Sequence, residues 1–321
     1  MANVDLLEAA ANTPRRPISA VVGLGRSIIA LAQASMLMFS DVRGFFVPVG
    51  DETLESSCSE FLGQISLFCR MPSLESAAVV ATIVLLIVAS GILPRYTCLL
   101  HAYVSLSIIG VLALPDGGDL IATNVSLLLA FAFIGDPRLW HWGDGVSRGA
   151  VFRGVSTGAQ IAIRVQVAFI YFDSATAKFA VDTWTDGTQM YYVTRQEMFG
   201  ASGPLGDLVR DLMSVPLFTL ASSWGAIAAE LAIAALVLIP KKSAARTAIV
   251  VSSVLHVLII AVIGLGSFGL IMIGVVLCAV GSRLDGFRDL VGWSFWTSKI
   301  SSRGTPTRAV ARSNLEEVTH V

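Results

Sequence analysis

Seven ionisable residues interrupt otherwise apolar stretches of this chain: Arg26, His101, Arg164, Asp173, Lys178, Glu230 and His256. A charge within a bilayer is costly, so such residues face a bundle interior, a partner or a water-filled pocket. Counted from the inner edges of their stretches, Arg26, Arg164 and His256 lie about seven to nine residues in, and Glu230 lies near the middle of its own. At about 1.5 Å per residue those depths overlap. The overlap permits one polar cluster in which Glu230 balances Arg164 or Arg26 and His256 donates to a ligand oxygen or shuttles a proton. The alternative is a structural ion pair that only fixes helix packing, with His256 satisfied by a neighbouring carbonyl.

The richest segment surrounds "YFDSATAKFAVDTWTDGTQMYY", residues 171–192. Arg164, Tyr171 and Lys178 recur at intervals of seven and therefore share a helix stripe, with Gln160 one turn earlier on the same face. Gln166 and Asp173 make a second stripe at the same interval, so this helix is expected to be central in its bundle. Trp184 follows as an interfacial anchor, Gly187 supplies a turn that tolerates positive φ, and Tyr191 and Tyr192 come next. Taken alone, the segment also fits an aromatic belt with Lys178 snorkelling to the outer surface.

The elements that must position these residues are transmembrane helices. Hydrophobic residues make up 55% of the 321 positions and charged residues 14%, with a mean hydropathy of +0.74. That balance excludes an ordinary soluble domain. Runs long enough to cross ~30 Å of hydrocarbon occur at 18–39, 76–93, 96–114, 119–135, 157–178, 221–239, 247–264 and 267–283. The expected architecture is an all-α polytopic bundle of about eight spans in a cell inner membrane, with both termini cytoplasmic. This orientation puts Arg15, Arg16, Arg95, Arg138, Arg148, Arg153, Lys241, Lys242, Arg246, Arg283, Arg288, Lys299, Arg303, Arg308 and Arg312 inside. Only Arg43, Arg70, Arg195 and Arg210 remain outside, and fifteen against four obeys the positive-inside rule. The first run continues through Met38, too long for the core of a cleaved leader, and reads as an uncleaved span; a twin-arginine export signal at Arg15 and Arg16 is the alternative.

Residues 1–17 form a cytoplasmic N-terminal segment, 18–285 the membrane domain, and 286–321 an amphipathic and then polar cytoplasmic tail. The outer loop 40–75 carries Cys58 and Cys69, which face an oxidising compartment in this topology; a disulfide is expected, two free thiols being the alternative. Cys98 and Cys278 fall within spans and read as small buried hydrophobes. No metal-ligand spacing, phosphate-binding glycine loop or nucleophile elbow occurs, and "GLGRS" lies within the first span rather than after a strand. No internal repeat of the kind common in secondary transporters is visible.

Read together, Lys178, Trp184 and Gly187 in "IYFDSATAKFAVDTWTDGTQMYY", Arg26 in "GLGRSIIAL", Glu230 in "SWGAIAAELAI" and His256 in "SSVLHVLII" resemble the HTTM superfamily. This is the membrane domain shared by vitamin K-dependent γ-carboxylases and their bacterial relatives. "DPRLWHWGDG" further resembles its sporulation-delaying protein B branch. The resemblance spans roughly 18–285 and implies a pocket lined by Arg26, Asn124, Arg164, Tyr171, Trp184, Gly187, Tyr191, Glu230 and His256. It also implies a reduced, vitamin K-like quinone as cofactor, no metal, and Lys178 as general base in a partly dry pocket closed by the outer loop 179–205. Asn124 matches the family's Asn-Asn-His motif, but Val125 stands where the histidine is expected, and no large lumenal domain is present. The branch implies a maturation factor for a secreted, toxin-like peptide, with lipids, the pro-peptide and a small partner protein as its contacts and no role for nucleic acid. The competing reading is a non-catalytic scaffold, exporter or immunity protein for such a peptide.

Overall fold

Eight long helices occupy the eight apolar runs, and their ends follow from local chemistry. In the computed structural model, which describes residues 18–46, 58–112, 115–143, 149–196, 200 and 203–290, they are α1 (Ala20–Phe39), α2 (Leu74–Ser90), α3 (Pro94–Ile109), α4 (Gly117–Phe133), α5 (Ala150–Lys178), α6 (Pro216–Leu238), α7 (Lys242–Ile263) and α8 (Gly266–Val280). Among the described residues the structure is all-helical apart from one isolated bridge. Five helices are long and apolar enough to cross a membrane: α1, α5, α6, α7 and α8 with its one-turn extension to Arg283; α2 and α4 are shorter apolar helices.

Side-chain caps start several of these helices by satisfying backbone N–H groups that have no partner in the first turn. Ser19 accepts from the amide of Val21. Ser73 with Ser76, and Asp116 with Asp119, form reciprocal capping boxes. Pro94 and Pro216 begin α3 and α6, where a missing N–H does no harm.

Two cores meet along α1. One joins α1 to α3, α4, α5, α6, α7 and α8; the other joins the C-terminal half of α1 to α2, α3 and Phe68. The sequence expectation of a central α5 is corrected here. The apolar windows of α1 and α8 are 67% and 61% buried, against 33% for α5, which exposes Val165, Phe169 and Phe172. The reason is steric. A Cβ on Gly25 would stand 2.5 Å from the Gly274 carbonyl oxygen, and one on Gly274 2.8 Å from that of Gly25. Only paired glycines let the two backbones approach so closely.

One end of the bundle is strapped by residues 136–143. Leu93 N–H donates to Leu139 O at 2.7 Å, His141 N–H to Gly91 O at 3.0 Å, and Trp142 Nε1 to Ser90 O at 2.8 Å. Leu93 takes φ +44°, a left-handed conformation unusual for a branched residue. Arg138 and Asp136 form a buried ion pair at 2.7 Å within the strap.

The Cys58–Cys69 disulfide forms as expected, with Cα atoms 5.7 Å apart, and Cys98 and Cys278 are free and buried. The next turn docks on α3 through Ser66 Oγ donating to Ser107 O at 2.9 Å. The N-terminal segment 1–17 and most of the tail lie outside the described residues.

Candidate functional site

Lys178 closes α5, and its ammonium is held from two sides. Nζ donates to Glu230 Oε2 at 2.8 Å and Oε1 at 2.9 Å, and to Ser174 Oγ at 2.9 Å and Ser174 O at 3.1 Å. Ser174 Oγ itself donates to Glu230 Oε1 at 3.1 Å. The Lys178 and Glu230 side chains are only 17% and 12% exposed. Sequence reasoning paired Glu230 with Arg164 or Arg26; the structure pairs it with Lys178.

That geometry depends on where α5 stops. Glu230 lies 14 residues after Pro216, about 21 Å along α6, yet the end of α5 is level with it. The chain beyond Lys178 therefore runs beside the first turns of α6. It forms two short helices, Asp182–Thr185 and Gln189–Val193, with Gly187 between them at φ +81°. A Cβ at Gly187 would collide with Leu220 of α6. Met190 N–H donates to Ser223 Oγ at 3.2 Å, and Phe179 packs 6.0 Å from Trp224. This fold-back sets the Trp184 ring 5.1 Å from Lys178 Nζ, close enough for a cation–π contact.

The remaining expected residues fall into separate groups. Tyr171 is buried, with its hydroxyl 3.1 Å from Ser252 Oγ and its ring edge-on to His256 at 5.9 Å. His256 Nδ1 lies 2.8 Å from Ser252 O; a carbonyl only accepts, so Nδ1 carries the proton and Nε2 the lone pair. Arg26 is wholly buried elsewhere, donating to Thr97 Oγ1 at 2.8 Å under the Phe133 ring at 5.3 Å. Its Nε and Nη1 have no hydrogen-bond partner. His101 bonds Gln33 Oε1 at 3.1 Å. Arg164 donates to Ala279 O at 2.9 Å and to Ser282 Oγ. Asn124 and Asp173 are exposed, while Val125 is buried beside Asn124. Tyr191 stacks on Arg195 at 3.7 Å. Of the ten expected pocket residues, four meet at one place: Lys178, Glu230, Trp184 and, through the turn, Gly187.

Ser174 was missed, although it stands four residues before Lys178 and thus on its face. With Ser174 and Glu230 as partners, all three ammonium hydrogens are engaged, and an ammonium has no lone pair. A proton passed to Glu230 leaves an amine beside a carboxylic acid, so the pair can deliver or take up a proton at one point.

These features define an all-helical membrane protein with a sheltered lysine–carboxylate pair roofed by tryptophan. The chain belongs to the family of the uncharacterized protein YitO of Bacillus subtilis (strain 168), to which it is 32% identical over 271 residues, 82% of this chain and 85% of YitO. It is also 32% identical over 192 residues to Sporulation-delaying protein SdpB of the same organism, covering 59% of each chain, which supports the sporulation-delaying protein B branch. No family model and no solved structure matches the chain.

Proposed function

We propose that this protein is an inner-membrane maturation factor for a secreted, toxin-like peptide, built on an HTTM-like domain of about eight spans with both termini in the cytoplasm. Its acid–base centre is the Lys178–Glu230 pair near the outer face. The carrying observation is that pair: two oppositely charged groups of low exposure, 2.8 Å apart, in the segment that resembles the γ-carboxylases. The similarity to SdpB supports the peptide-maturation reading. In the charged pair the available base is the Glu230 carboxylate. Lys178 becomes a base only after giving a proton to it.

The residues also suit a flat, quinone-like ring. Trp184 offers an aromatic face beside the pair, with Phe179 and Trp224 packed on each other where α5 ends against α6, and the pair would supply the proton exchange. Such a cofactor would supply redox chemistry that no side chain here provides. Lys178 and Glu230 would orient it and exchange its proton, while Trp184 would exclude water.

The full engagement of the Lys178 donors favours a second reading, a scaffold or exporter in which the pair only holds α5 to α6. Mass spectrometry of the secreted peptide separates the two. Cells carrying Lys178→Arg retain the charge but lose the readily neutralised amine; the maturation reading expects no mature product although the protein inserts normally. Near-normal product from Lys178→Arg would reject the acid–base role and leave the scaffold.

A further inference from the structure

Midway along α5 lies a second charged group, which the proposed chemistry does not use. Arg164 is fixed by two neutral acceptors, Ala279 O and Ser282 Oγ. The adjacent Arg283 lies close enough for the two positive charges to repel, and its Nη1 is buried without a hydrogen-bond partner. The turn Gly281–Arg283 packs against α7. There Lys242 and Arg246 share the carboxylates of Asp285 and Asp289: Lys242 bonds Asp285, and also Asp289 at 2.8 Å, while Arg246 reaches Asp289 at 3.3 Å. Arg246 Nε is also buried and unpartnered. Two carboxylates, Asp285 and Asp289, thus bond Lys242 and Arg246 of α7. Arg164 is left on two neutral oxygens, and Arg283 keeps a buried donor without a partner.

We propose that this corner binds the phosphate of an anionic phospholipid headgroup. Guanidinium groups present a fork of donors that matches phosphate oxygens, and a bound anion relieves the repulsion between Arg164 and Arg283. The surface leading from the corner identifies the source as a lipid rather than a soluble phosphate. On α7, Lys242, Arg246, Val250, Val254 and Leu258 follow one another at intervals of four, each beside the next along a stripe that winds slowly round the helix. Val250, Val254 and Leu258 are 60%, 56% and 55% exposed. A cationic head site therefore runs directly into an apolar bed of the kind an acyl chain covers. In the proposed orientation this corner faces the cytoplasmic leaflet, whose anionic lipids attract such basic groups.

The test uses the full chain purified in a neutral detergent, with native mass spectrometry to count retained lipid and thermal unfolding to follow stabilisation. Phosphatidylglycerol, phosphatidylcholine and inorganic phosphate are added at matched phosphate concentration. Phosphatidylglycerol is expected to be retained as a single adduct and to raise the melting temperature, with little effect from the other two. Arg283→Gln is expected to weaken phosphatidylglycerol binding about fivefold. Arg95→Gln, which removes an exposed cation at the same end of the bundle, should leave it unchanged. Arg283→Lys, which keeps the charge but loses the fork, should bind more weakly than wild type and covers the case in which the glutamine variant does not fold. Equal losses in Arg283→Gln and Arg95→Gln, full binding in Arg283→Gln or in a folded Arg283→Lys, or the same stabilisation by inorganic phosphate alone would each overturn the proposal.

Discussion

Replacing Glu230 by glutamine removes the carboxylate from the pair without changing its shape. Three contacts change: Lys178 Nζ to Oε1 and Oε2, at 2.9 and 2.8 Å, and Ser174 Oγ to Oε1 at 3.1 Å. In the glutamine variant one oxygen still accepts, but the amide nitrogen turns its hydrogens toward an ammonium. Removing one member of a buried pair costs about 3–5 kcal/mol, whereas an exposed pair contributes about 0.2–1 kcal/mol. Side chains 17% and 12% exposed stand nearer the first case, which puts Glu230→Gln at about 2–3 kcal/mol. Lys178→Gln is expected to cost a similar amount, and the double variant much less than their sum, a coupling of about 1.5–2 kcal/mol. Equilibrium unfolding of all four proteins in one detergent, followed by tryptophan fluorescence, measures that coupling. The charge-swapped pair Lys178→Glu with Glu230→Lys should recover part of the loss. A coupling within about 0.5 kcal/mol, the range of residues that do not touch, would refute the pairing, as would a larger coupling of Glu230 to Arg164.

Three further perturbations probe the frame around the site. His141 sits in the strap of residues 136–143, where burial, and then the charges of Arg26 and Arg138, push its imidazole down to about 3. The unfolded chain binds that proton near pH 6.5. Stability is therefore full above pH 6.5, falls as pH drops below it and levels off only near the folded value, with about 2–3 kcal/mol lost by pH 4.5. Melting curves of wild type and His141→Gln at pH 7 and 4.5 should converge at the acid end; curves that stay parallel rule this out. Breaking the Cys58–Cys69 bridge with Cys58→Ser and Cys69→Ser should cost about 2–3 kcal/mol, and thiol labelling of unreduced folded protein should find no reactive cysteine; labelling at either position contradicts the bond. Gly25→Val should separate α1 from α8 and destabilise by about 1–3 kcal/mol or more, while Gly158→Val, where nothing lies within 4 Å, should be far milder; equal effects would dispose of the close-approach argument.

The helices were legible because hydropathy and capping speak locally. Ser73, Asp116, Pro94 and Pro216 stand where their helices begin, and each apolar run became one helix. The disulfide followed from compartment and spacing. Partners across the bundle were less legible. An interval of seven placed Lys178, Tyr171 and Arg164 on one stripe, but three neighbours share that stripe: α6 meets Lys178, α7 meets Tyr171 and α8 meets Arg164. Depth misled as well. The helix begins at Ala150, two turns before the apolar run was read to start, and this brought Lys178 level with Glu230. The central place of α1 rested on glycines 249 positions apart, Gly25 and Gly274, a pairing that no local pattern announces.

The strap of residues 136–143 bears on the order in which this protein can be assembled. The turn between α2 and α3 holds Leu93 in a left-handed conformation, which costs about 1–3 kcal/mol and persists only when its surroundings enforce it. What enforces it is Leu139 O and the Gly91–His141 bond, supplied by a segment that leaves the ribosome more than forty residues later. The α2–α3 hairpin thus enters the membrane with its turn unsettled. It reaches its final form only once α4 has followed and delivered the strap from behind. Translocation of α4 is therefore the commitment step for the first half of the chain, and a synthesis arrest before Leu139 should leave that hairpin open to proteases at residues 90–93.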